Sequence, residues 1–263
     1  RSSDEELFVI TIPSFDGTDP SPLHKVYVTN VLSEDEAKHC LNLAQEYASV
    51  TGCWEQPDFE RHASYATCDF PITDCDALDS YLNEIGFQDR IWKQLSKLYG
   101  VKHTDMSFLD FFCAHYQAKN DQYDGSSAVM DRLEPHRDGS LLSFTVTLND
   151  AFQGGGTFFD ALRDVEPSCV LHSGGVVCPM RLGDAVLHSG KLLHGADVVT
   201  QGSRTVLVGF VDVWRLRPGV LTIACRDWGR MDEAARRFER QRGKSNGKGW
   251  FFDNTRWVTS HSC

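Results

Sequence analysis

A mainly β fold with flanking helices is predicted by three features of this 263-residue chain. Short β-branched or aromatic runs, bounded by Gly, Asp and Asn, follow one another between Met106 and Val213, the spacing of an all-β sandwich or barrel. Two stretches before them carry helix start and stop signals. The composition, 41% apolar and 24% charged, is that of a globular protein and excludes collagenous, coiled-coil and wholly disordered readings.

Taken in order, residues 1–24 are polar and rich in Pro and Gly (Pro13, Gly17, Pro20, Pro22) and read as an extended lead-in. His24–Asn30 alternates like a short strand. Ser33 with Glu36 three residues on forms a capping box that opens a helix to about Ser49. Thr51–Cys75 reads as loop and short strands, and a second helix is expected over Asp76–Tyr99, stopped by Gly100. Strands are expected at Met106–Tyr116, Leu141–Asn149, Thr157–Leu162, Gly175–Met180, Ala185–His188 and Arg204–Val213. Asp227–Arg242 returns to helical spacing.

The charge balance, 26 basic against 37 acidic residues for a net of −11, lacks the basic face a nucleic-acid partner requires. No apolar run approaches the roughly 20 residues that cross a bilayer. Nine cysteines without a C-x-x-C pair argue against a zinc ribbon or a thioredoxin motif and leave the redox compartment open. The chain starts at Arg1, which reads as a trimmed N-terminus, and secretory and cytoplasmic locations both stay open.

The chemistry centres on His136-Arg137-Asp138. On a strand, residues i and i+2 share a face, so this H-x-D would set an imidazole beside a carboxylate. One distant histidine then completes a facial triad of two histidines and one carboxylate, the donor set of non-haem Fe(II). A second H-x-D, His103-Thr104-Asp105, follows a helix stop in a polar turn and reads as solvated. Pro135–Ser140 instead leads into a strand, and His194 and Arg204 follow downstream. A 2-oxo acid chelating iron needs its far carboxylate held by a cation, and arginine does so with a planar fork that keeps its charge.

H-x-D, then His, then Arg within a β-core resembles the signature of the Fe(II)/2-oxoglutarate dioxygenases. The chain is most similar to the catalytic domain of the procollagen lysyl hydroxylases, relatives of the prolyl 4-hydroxylases. The likeness runs from about Leu78 to Val213 and includes Ile85-Gly86-Phe87 with Trp92, Pro135–Ser140, Leu148-Asn149, Gly154-Gly155-Gly156, His188-Ser189-Gly190 and Phe210-Val211-Asp212. It implies a double-stranded β-helix, or jelly roll, with His136, Asp138 and His194 as iron ligands and Arg204 as the 2-oxoglutarate partner. It also implies that the Tyr116 hydroxyl reaches the same cosubstrate, and Thr145 stands where the family has a cosubstrate-contacting asparagine. Fe(II), 2-oxoglutarate, O2 and ascorbate as reductant are the implied cofactors. The implied reaction hydroxylates a C–H bond of a peptidyl Lys or Pro, releasing succinate and CO2.

The chain departs from that family by an insertion within Gln117–Leu133 and by the 50 residues after Val213, and the family's glycosyltransferase domains are not expected in these 263 residues. The insertion, rich in turn formers, is expected to be a mobile loop governing substrate access. One dioxygenase domain over 1–263 is expected, with 1–105 as helical and extended support, 106–213 as the jelly-roll core and 214–263 as a C-terminal extension. Two other functions stay open, a small-molecule oxidase of the same class and a non-catalytic jelly-roll binding module. A shallow acidic groove would favour a peptide substrate and an enclosed pocket a small one, while the sequence leaves the oligomeric state open. His188 reads as a support of the barrel mouth, Gly154-Gly155-Gly156 as a tight β-turn, and Cys113 as a small core residue. Trp54, Phe59, Trp250, Phe251, Phe252 and Trp257 read as packing of the termini on the core.

Overall fold

The computed structural model describes residues 6–12, 22–55, 67–119 and 130–213. The expected helix over 227–242, the aromatic residues Phe59, Trp250, Phe251, Phe252 and Trp257, and residues 120–129 of the expected access loop lie outside the described residues.

The lead-in holds a strand that the sequence reading missed. β1 (Leu7–Thr11) pairs antiparallel with β2 (Lys25–Asn30), placing Val9 opposite Tyr27. Helix α1 (Glu34–Thr51) starts where the capping box predicts: the Glu36 N–H donates to Ser33 Oγ at 3.2 Å, and the Ser33 N–H donates to Glu36 Oε2 at 2.7 Å. The same Glu36 carboxylate takes the fork of Arg90, with Nη1 and Nη2 at 2.8 and 2.9 Å, so one residue caps α1 and ties it to a later helix.

That later helix is not the single element expected over Asp76–Tyr99. After β3 (Asp69–Pro71) the chain forms α2 (Asp76–Glu84) and then α3 (Phe87–Tyr99), broken at Gly86 with φ 65°. A left-handed residue costs glycine little, and helical periodicity alone does not reveal such a break. The break lets two apolar stripes, Leu78 and Leu82 on α2 and Phe87, Ile91, Leu95 and Tyr99 on α3, join one buried cluster.

The β-core follows as β4 (Met106–Gln117), β5 (Leu133–His136), β6 (Leu142–Thr147), β7 (Phe152–Gly154), β8 (Thr157–Phe159), β9 (Leu171–His172), β10 (Val176–Val177), β11 (Asp184–Ser189), β12 (His194–Ala196) and β13 (Val199–Val213). An eight-stranded sheet has the order β1-β2-β11-β6-β13-β4-β3, with β7 also on β13. A five-stranded sheet has the order β5-β12-β8-β10-β9. From β4 onward the chain passes back and forth: β4 large, β5 small, β6 large, β8 to β10 small, β11 large, β12 small, β13 large. That path is the double-stranded β-helix, and the fold is mainly β with flanking helices as predicted. Among the described residues no helix is long and apolar enough to cross a membrane.

Alternation along the strands separates core from cavity. In β6 the apolar residues Leu142, Phe144 and Val146 join the helix-side cluster, while Ser143 and Thr145, on the other face, line a cavity. In β13 Leu207, Val211 and Val213 pack toward the helices, whereas Arg204, Val208 and Phe210 line the cavity. Cys113 is fully buried, as a core residue should be.

Candidate active site

His136 closes β5 and His194 opens β12, and the two are register partners in the five-stranded sheet. Their ring centroids lie 4.7 Å apart. Each Nδ1–H donates to a backbone carbonyl two residues earlier, His136 to Glu134 at 2.8 Å and His194 to Leu192 at 2.9 Å. With Nδ1 committed, each Nε2 is left to face the third group.

That group is Asp138. The expectation that the H-x-D pair shares a strand face is corrected here, because β5 ends at His136 and Asp138 lies beyond it. A loop rather than the pleat brings the carboxylate round, with the Asp138 N–H donating to the Gly190 carbonyl at 2.8 Å. Its Oδ1 stands 3.3 Å from His136 Nε2, and its Oδ2 stands 3.4 Å from His194 Nε2. Ser143 Oγ donates to Oδ2 at 2.5 Å, whereas Oδ1 is buried without a donor in hydrogen-bond geometry. Burial pushes the Asp138 carboxyl up, but His194 and His136 outweigh it and hold the group well below the usual carboxylate range. Burial lowers the His194 imidazole, and Asp138 more than reverses that, leaving it raised.

Ligand atoms of His136, Asp138 and His194 all lie within 4.8 Å of one another. Two imidazole nitrogens and one carboxylate oxygen, with a buried oxygen otherwise unsatisfied, suit a first-row transition metal. His188 stays outside this cluster. Its ring packs edge-on against His194 with centroids 4.4 Å apart, its Nδ1 donates to the Ser189 carbonyl, and burial pushes it down to about 3. His103 and Thr104 are exposed in a short 3-10 turn, as the solvated reading expected, whereas Asp105 of the same motif is buried.

A cavity of about 340 Å³ joins these ligands to the other predicted residues, and Tyr116, Thr145 and Arg204 all line it. Arg204 and Tyr116 are direct register partners across β13 and β4, and the guanidinium carbon sits 5.6 Å from the tyrosine ring centroid. Arg204 is 3% exposed, and its Nη2 has no hydrogen-bond partner. Burial lowers it, yet arginine's ordinary pKa is high enough that it remains a cation. A buried, partly unsatisfied guanidinium in a cavity wall suits a carboxylate. Burial pushes the Tyr116 hydroxyl up to about 12, so it is a neutral donor at physiological pH. Gly154-Gly155-Gly156 is not the tight β-turn expected: its three residues, at φ 70°, 70° and 119°, carry the chain from β7, paired with β13, to β8 in the other sheet, with the Gly155 N–H donating to the Val198 carbonyl at 2.7 Å. A Cβ on Gly155 would stand 3.1 Å from Arg204 Cδ.

Sequence reasoning missed Ser143 and the apolar wall of Leu109, Phe112, Val208 and Phe210. The signal for Ser143 was present in the hydroxyl-every-second-residue pattern of Leu142–Thr147, which marks one face of the strand as polar.

No protein-family model and no curated protein matches the chain. Among solved structures, it is similar to a 2OG-Fe(II) oxygenase family oxidoreductase from Burkholderia pseudomallei, at 14% identity and TM-score 0.39, covering 80% of this chain and 74% of that one. It is also similar to the viral collagen prolyl hydroxylase of Paramecium Bursaria Chlorella virus-1, at 16% identity and TM-score 0.43, covering 74% and 96%. A third likeness is to the epimerase SnoN in complex with Fe3+, alpha ketoglutarate and nogalamycin RO, at 14% identity and TM-score 0.48, covering 72% and 79%.

Proposed function

We propose that this chain is an Fe(II)- and 2-oxoglutarate-dependent dioxygenase that hydroxylates a C–H bond. One observation carries the reading: a buried carboxylate faces two imidazoles with one oxygen left unsatisfied, and a buried guanidinium nitrogen without a partner lies in the same cavity. A cation between His136, Asp138 and His194 satisfies the first group, and the distal carboxylate of 2-oxoglutarate satisfies the second. When bound, Fe(II) supplies the redox chemistry by which O2 and 2-oxoglutarate become succinate and CO2 while a substrate C–H becomes C–OH.

The protein's part is to hold and orient. His136 and His194 present Nε2 lone pairs fixed by their Nδ1–H bonds, and Ser143 keeps Asp138 Oδ2 occupied so that Oδ1 points to the shared space. Arg204 grips the cosubstrate carboxylate, and Tyr116 donates to it. Thr145 lies on the wall between Ser143 and Thr147, where it lines the path joining the two poles. Phe112, Val208 and Phe210 keep this path dry, which strengthens each electrostatic contact within it.

The substrate we assign is a peptidyl Lys or Pro side chain. The resemblance to lysyl and prolyl hydroxylases supports it, as does a cavity near the small end of the usual range of about 300–1,000 Å³. Leu109, 55% exposed, marks its rim, so a side chain can enter while its peptide stays outside. A free amino acid or metabolite is the second reading. Apolar Leu109, Phe112, Val208 and Phe210 favour it, whereas Asp110, in the same wall, is an acid of the kind that a peptide-binding groove would carry. Ascorbate belongs to the proposal as the reductant that restores Fe(II). The test is succinate release with Fe(II), ascorbate and 2-oxoglutarate against a panel of peptides, free amino acids and metabolites. Stimulation by peptides alone supports the first substrate, stimulation by free compounds alone the second, and no 2-oxoglutarate turnover at all sinks the class.

A further inference from the structure

We infer that Lys191 is the positioning residue that fixes the Asp138 carboxylate for its metal, acting through a two-way clasp between the turn 190–193 and the loop 137–141. The inference rests on the metal reading above and deepens it. The lysine is only 8% exposed, although ammonium groups are costly to bury and supply three donors and no acceptor. Its Nζ donates to the Asp138 carbonyl at 3.1 Å and to the Gly139 carbonyl at 3.2 Å. In the other direction, Arg137 Nη1 donates to the Lys191 carbonyl. The Asp138 residue is thus held at both of its backbone groups by consecutive residues of one turn, its N–H by Gly190 and its carbonyl by Lys191.

The clasp closes because the turn lies backbone to backbone on the loop. Gly190 N–H and Ser189 Oγ both donate to the Leu141 carbonyl, at 3.0 and 3.1 Å. A Cβ on Gly190 would stand 2.6 Å from the Ser140 carbonyl oxygen and 2.9 Å from Ser143 Oγ, so glycine is required by close approach. That approach also brings Ser143 Oγ to Asp138 Oδ2. The turn does a second job, since the Leu192 carbonyl accepts from His194 Nδ1. Residues 190–192 therefore orient two of the three ligands, the Leu192 carbonyl holding His194 and the Lys191 side chain holding the Asp138 backbone.

The test is Co(II) binding by the full chain, followed by visible absorption and equilibrium dialysis, beside thermal unfolding without metal. Lys191→Met keeps the apolar stem and removes the donors. It should weaken Co(II) binding about 10- to 100-fold, the usual cost of losing an outer partner of a metal ligand, and alter the visible bands. Lys191→Arg returns donors to the site and should recover affinity relative to the methionine variant. Unchanged Co(II) affinity in Lys191→Met overturns the inference, even with a lowered melting temperature, because that is a structural role alone. An arginine variant no better than methionine also overturns it. Should Lys191→Met not fold, Lys191→Gln, too short to reach both carbonyls, must still bind Co(II) more weakly than the unaltered chain, and equal affinity there overturns the clasp. Absence of Co(II) binding by the unaltered chain overturns the metal reading and the clasp together, whereas equal binding by the variants overturns the clasp alone.

Discussion

The two sheets hold their parts of the site by different physical means. The eight-stranded sheet includes β13 of 15 residues and β4 of 12, and the three helices share a buried cluster with its outer face. Arg204 and Tyr116 face each other there because a long ladder fixes the register. The five-stranded sheet has strands of two to four residues. His136 and His194 stand at strand ends in it, and Asp138 lies beyond any strand. Ladders this short cannot aim a ligand, so side-chain bonds to backbone carbonyls do the aiming. The contrast teaches that the cosubstrate pole inherits its geometry from the fold, whereas the metal pole depends on individual polar contacts.

The largest expected effect tests the metal pole directly. Replacing His136, Asp138 or His194 by Ala should abolish 2-oxoglutarate-dependent succinate production, with the purified protein still giving a cooperative melt. A triad variant with full turnover under metal-controlled conditions would show that the ligands lie elsewhere.

At the cosubstrate pole the loss should be graded instead. Arg204→Ala removes a charge-assisted pair worth roughly 1.5–3 kcal/mol, which corresponds to roughly a 10- to 150-fold higher 2-oxoglutarate requirement. Tyr116→Phe should move the same quantity less. An unchanged dependence on cosubstrate concentration in the arginine variant breaks the assignment.

Away from both poles, Leu95→Ala should act on the scaffold alone. Leu95 is fully buried on α3, and such a truncation costs about 2–5 kcal/mol. The denaturation midpoint should fall while Co(II) affinity of the folded protein stays the same. A matching loss of metal affinity would mean that the helix-backed cluster also sets the ligands, and the contrast between the two sheets would collapse.

Acid should also act on the helix-backed side. His115 stacks on Trp54 with ring planes 7° apart, bonds Thr205 Oγ1 through Nδ1, and is pushed down to about 4 by burial. Its unfolded value is near 6.5, so between those values the unfolded chain binds more protons than the folded one. Its neutral form is favourable above about 6.5, and stability falls as the pH drops toward 4. His115→Phe should flatten that slope in urea midpoints measured from pH 7 to 4.5, and a slope of unaltered size would remove His115 as its source.

The smallest effect expected is at the α1 cap. Ser33→Ala should cost about 1 kcal/mol of stability and leave both poles of the cavity unchanged, as read by thermal melts and Co(II) affinity.

Features that depend on neighbours within a few residues can be read from the amino-acid order. The capping box of Ser33 and Glu36 and the alternation that sorts Leu142–Thr147 into apolar and hydroxyl faces are legible there, and the order His136, Asp138, His194, Arg204 is legible through its resemblance to a family signature. The tertiary structure decided what depends on distant segments meeting. Gly86 breaks a continuous helical pattern because two stripes must reach one cluster, and residues 7–11 become a strand because β2 offers an edge. Asp138 reaches its partners through a loop pinned by Gly190, and the Lys191 amine finds a carbonyl 53 positions back along the chain. Periodicity reports which face of an element is apolar. It holds no information on which carbonyl a distant side chain will meet, because that pairing exists only once two loops have been pressed together by the packing of both sheets.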